Sequence, residues 1–103
     1  MAPTVGRIVL VIVDPDTNNG SEIAPAIITR VWSGNDERAT VNYRILGEGP
    51  ASEDDWKSSA QLFANEQAAR AAMVKAFQDG AAQGYAPPHN GRTGMFAFWP
   101  PRS

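Results

Sequence analysis

The sequence contains no cysteine. That absence removes disulfide frameworks, thiolate zinc sites and cysteine nucleophiles together, and it fits a reducing compartment. Histidine is nearly absent too: with His89 alone, a zinc site would have to be completed by carboxylates. Neither Ser58 nor Ser59 lies in the Gly-X-Ser-X-Gly pattern that presents a nucleophile. Long apolar runs are missing: the longest, Ile8 to Val13, is six residues, against the ~20 that a membrane-spanning helix needs. It lacks the basic start and cleavage pattern of a signal peptide. A basic excess is missing as well, since a formal charge of -2 leaves no electrostatic footprint for bulk DNA or RNA. The chain is therefore expected to be cytoplasmic and off the membrane, with no metal and no cofactor.

What remains is the composition of a folded chain, 43% hydrophobic and 19% charged over 103 residues, enough for one domain spanning 1–103. "GRIVLVIV" reads as a buried strand that stops at the turn-forming "DPDTNNG". "APAIITRVWSGNDERATVNYRIL" reads as a hairpin about "SGNDE". Strict alternation puts Ile27, Thr29 and Val31 on one face of its first arm and Ile28, Arg30 and Trp32 on the other. On the second arm it separates Val41, Tyr43 and Ile45 from Asn42, Arg44 and Leu46. After "GEGP", the stretch "DWKSSAQLF" is a fourth strand.

The period then changes. From Asn65, a stripe of Ala68, Ala69, Ala72, Met73, Ala76 and Phe77 predicts an amphipathic helix, with Asn65 as N-cap and Gly80 as its stop. Its face is mostly alanine, so Met73 and Phe77 are its expected large anchors. A loop rich in glycine and proline follows, and "MFAFW" is a final short strand. Met95, Ala97 and Trp99 should share one face and Phe96 and Phe98 the other, each of them covered, until Pro100 and Pro101 stop the pairing. The order is four strands, one helix, one strand: mostly β, a small barrel or rolled antiparallel sheet closed by the last strand.

The series "GRIVLVIV", "AIITRVWS", "ATVNYRIL", "DDWKSSAQLF" and "GMFAFWPPRS" resembles a family of small proteins encoded by bacteriophages and prophages, whose members end in a glycine, aromatic, tryptophan, proline signature. The resemblance implies an SH3-like five-stranded barrel and a function mostly unassigned. This sequence has Ala97 and Phe98 where a histidine is common in that signature, and a longer helix before the last strand.

Catalytic and metal motifs are weak. Asp14 and Asp16 resemble the start of a calcium loop, but the glutamate that completes it is missing. "GEGP" and "GRTG" do not open a helix after a strand as a phosphate cradle does. A recognition surface remains: Arg30, Trp32 and Arg44 across the hairpin, with Trp56, Lys57, Tyr85, His89 and Arg92 from flanking segments. Such groups stack on flat rings and pair with phosphate or carboxylate oxygens. The competing assignment is that the tryptophans are core and the arginines a solvated face. The expected function is non-enzymatic: a phage accessory protein of the host cytoplasm that sequesters a small anionic or nucleotide-like ligand, such as a nucleotide immune signal, as a homo-oligomer. An interaction module for a host or virion protein is the alternative. A hydrolase using Asp14, Asp16 or the run Glu53 to Asp55 comes third.

Overall fold

The computed structural model describes residues 3–13, 20–34, 38–47, 55–82 and 94–101. The turns expected at "DPDTNNG", "SGNDE" and "GEGP" fall largely outside them. Five strands and one helix follow the expected order: β1 (Ile8–Ile12), β2 (Ile23–Gly34), β3 (Arg38–Ile45), β4 (Trp56–Phe63), α1 (Glu66–Ala82) and β5 (Phe96–Phe98). The strands close into a barrel in which β1 to β4 form an antiparallel meander and β5 fills the gap between β4 and β1. β5 runs antiparallel to β1 but parallel to β4. The helix explains the parallel pair: α1 carries the chain back to the end of the barrel where β4 began, so the next strand starts in the same direction. The sheet is thus not purely antiparallel. It is a small SH3-like five-stranded barrel with a helix inserted between β4 and β5.

Two apolar clusters hold it. Inside the barrel, Tyr43, Leu62, Val9, Val11 and Val41 are fully buried among the small side chains of Ala24, Ala26, Ala60 and Ala97. Small residues facing large ones let so narrow a barrel fill without voids. On the outside, Ile12, Phe63, Phe96 and Phe98 lie beneath α1 and pack against Ala69, with Ala68, Ala72, Met73 and Ala76 around them. The expected covering of β5 on both sides is what the fold shows: Ala97 and Trp99 join the inner cluster, Phe96 and Phe98 the outer.

The helix begins as its sequence predicts, with Asn65 Oδ1 accepting the Ala68 N–H at 2.9 Å. Arg70, one turn in, donates to Glu66 at 2.7 Å and Glu22 at 3.3 Å, tying α1 to the start of β2. Gly80 does not stop the helix, which continues to Ala82. A helical glycine costs about 1 kcal/mol relative to alanine, and the strong helix formers Ala81 and Ala82 follow it. The Phe77 side chain lies outside the described residues. Among the described residues, no helix is long and apolar enough to cross a membrane.

Tyr43 is the largest wholly buried side chain among the described residues, and its hydroxyl donates to the Gly94 carbonyl just before β5. Burial pushes its phenol far above the ordinary value of 10.0. The folded protein therefore keeps a proton that the unfolded chain releases above about pH 10, so stability must fall as pH rises beyond that point. The expected slope is about 1.4 kcal/mol per pH unit. Urea midpoints measured from pH 9 to 11 should show it in the wild-type protein, and Tyr43→Phe should lack it. Equal slopes in the two proteins would contradict this account.

Candidate functional site

The barrel wall not covered by α1 is formed by β2, β3 and the first part of β4. Its register determines what stands there. Ile8 pairs with Ile27, Ile27 with Arg44 and Arg44 with Trp56, a continuous row across four strands on the outer surface. Two residues along β3, Asn42 pairs with Arg30.

On β2 the faces differ from strict alternation. Ile28 points inward and is buried, whereas Arg30 and Trp32, expected on its face, are exposed on the outside. Val31, expected to oppose Ile28, packs against the inner cluster. Register shifts between Ile28 and Arg30, and again between Val31 and Ser33, cause the change. Each bulge inserts an extra residue and re-aims the side chains that follow. A third shift lies on β4, where Val41 pairs with Ala60 but Tyr43 with Lys57, so that Ser58 and Ser59 both lie opposite Asn42.

Trp32 and Trp56 are surface residues, 49% and 45% exposed, and the core assignment does not hold for them. The core indole is Trp99, whose Nε1 has no hydrogen-bond partner among the described residues. The Arg7 guanidinium lies 5.9 Å from the centre of its ring. The Arg30 guanidinium sits 3.8 Å from the centre of the Trp32 ring, a close cation–π stack. Trp32 Nε1 donates to Asn42 Oδ1 at 2.8 Å, which fixes the indole over β3. Arg30 and Arg44 make no ion pair among the described residues, in contrast to Arg70 and Lys75 on the helix.

The structure therefore brings Arg30, Trp32, Arg44 and Trp56 onto one wall. Lys57 stands apart, because it follows Trp56 on the opposite side of β4 and its stem lies over Gly94, where an added Cβ would meet Lys57 Cε at 3.1 Å. Tyr85, His89 and Arg92 lie outside the described residues, as do Asp14, Asp16 and Glu53. Among the described residues no three of His, Cys, Asp and Glu gather to hold a metal ion. Asn42 was not among the sequence candidates. Its signal was a polar side chain in the middle of a strand otherwise rich in apolar and β-branched residues.

The wall can do two things chemically. Exposed indole faces accept flat rings, and two arginines that make no ion pair among the described residues can accept oxyanions. No protein-family model, curated protein or solved structure matches the chain.

Proposed function

We propose that this is a non-enzymatic binding protein whose open barrel wall takes a small anionic ligand with a planar ring, of nucleotide-like chemistry. The observation that carries this reading is the Arg30–Trp32 stack beside Arg44, an arginine with no ion pair among the described residues. A cation already seated on one face of an indole adds charge to a ring platform. Arg44, between the two indole-bearing strands, is placed for two-pronged contact with a phosphate or carboxylate. In this reading the protein is a phage accessory factor of the host cytoplasm, a homo-oligomer that sequesters a nucleotide immune signal.

Calorimetry of the purified protein against a panel of cyclic mono- and dinucleotides tests it. Binding by at least one member is expected, with Arg44→Ala weakening it about tenfold, the usual effect of losing a charge-assisted contact. No heat with any member would sink the reading. A second reading, a module for a host or virion protein, is favoured by the row of Ile8, Ile27 and Trp56 with Leu46, 48% exposed, beside it. A partner recovered at fixed ratio, and lost on Trp56→Ala, would support that reading instead.

A further inference from the structure

We infer that Asn42 is the positioning residue of this wall: its amide holds Trp32 over β3 and keeps the surroundings cationic while doing so. The inference rests on the binding role proposed above, but its structural half stands apart from any ligand. Asn42 is only 6% exposed and, with the Tyr43 hydroxyl and the Trp99 indole N–H, is one of three buried side chains among the described residues that carry a polar atom. A buried amide is costly unless its hydrogen bonds are made. Here a single oxygen makes two of them. Asn42 Oδ1 accepts the Trp32 indole N–H from β2 and the Ser59 backbone N–H from β4, both at 2.8 Å.

Each of those donors sits at an irregularity. Trp32 lies within the second register shift of β2. Ser59 lies within the shift of β4 and has φ of 56°, in the left-handed region that non-glycine residues rarely occupy. Such a conformation persists only where its surroundings fix it. Asn42 therefore joins bulges on both neighbouring strands through one atom. Its effect on the site is specific. The indole N–H is spent on Asn42, so Trp32 can contribute to a ligand only through its ring face, one side of which is occupied by Arg30.

The identity of the residue adds a second consequence. An aspartate would accept the same two N–H groups, but it would place a carboxylate beside Arg30, its cross-strand partner, and Arg44, its neighbour on the same face. Asparagine supplies the acceptor without the charge. Position 42 thus separates two properties that a simple packing role would not: an acceptor for placement, and neutrality for anion affinity.

Three variants test this, read by hydrogen exchange of the Trp32 indole N–H in the free protein and by calorimetry with the cyclic nucleotide that binds wild type best. In Asn42→Asp the indole N–H should stay as protected as in wild type, while nucleotide affinity falls about tenfold through the added like charge. In Asn42→Ala protection should fall at least about tenfold, the loss of a hydrogen bond to a partly buried donor, and affinity should fall with it. Trp32→Phe should leave the Ser59 amide protected, since that bond does not need the indole, and provides a folded control if Asn42→Ala does not fold. Unchanged indole protection in Asn42→Ala, early exchange in Asn42→Asp, or wild-type nucleotide affinity in Asn42→Asp would each overturn the inference. If wild type binds no cyclic nucleotide, the functional reading fails, and the two exchange comparisons still decide whether Asn42 holds Trp32.

Discussion

A chain lacking Met95–Ser103 is expected to show no cooperative unfolding transition. The segment removed contains β5, whose three residues are all buried, and Trp99, buried beside them. Ala97 lies between Val11 and Leu62 in register, and Phe98 between Leu10 and Phe63. Burying two phenylalanines and a tryptophan contributes about 1.5–3 kcal/mol each or more, a sum comparable to the whole stability of about 5–15 kcal/mol that a domain usually has. The truncation also leaves β1 and β4 as open edges, ready to pair with other chains. Thermal melts followed by circular dichroism, together with light scattering, would show a broad, non-cooperative change and aggregation. A truncated protein melting as sharply as the full chain would refute the closing role assigned to β5.

Phe98→Ala is expected to cost about 3–5 kcal/mol, the usual range for a buried phenylalanine. Phe98 is 2% exposed and forms the floor on which α1 rests, with Phe63 and Phe96 stacked beside it at 6.4 Å between ring centres. The helix contributes little bulk of its own to that contact: Ala68, Ala69, Ala72 and Ala76 face the barrel, with Met73 the large described side chain. Removing the ring should therefore release the helix before the barrel. Amide exchange in the variant should speed up across α1 while the inner residues of β3, such as Val41 and Tyr43, stay protected. Equal acceleration in α1 and β3 would show instead that the two clusters open as one unit.

The order of elements was legible because each period is local. β-branched runs mark β1 to β3, a stripe of alanines with Met73 marks α1, and Asn65 caps it as expected. The outer faces of β2 were not legible, because two bulges shift the alternation within seven residues, from Ile28 to Gly34, and a bulge leaves no reliable mark in side-chain type. The exposed positions of Trp32 and Trp56 follow from that register and from the limited reach of α1, neither of which a single strand encodes. Asn42 was passed over because its value depends on two donors from strands distant in sequence. The parallel seam was missed for a similar reason, since a strand's own pattern does not name its partner.

That seam bears on how the barrel comes together in time. β1 to β4 pair with their neighbours in sequence, so each hairpin closes a short loop. β5 must find β4 across the whole of α1 and β1 across nearly the full chain. Closing long loops carries the larger entropic cost and is compensated only when the contacts are complete, so such pairings form late and open early. The meander is thus a scaffold that exists before its last stave. The wall carrying Arg30, Trp32, Arg44 and Trp56 belongs to that earlier part, and the recognition surface is assembled before the seam that seals the barrel.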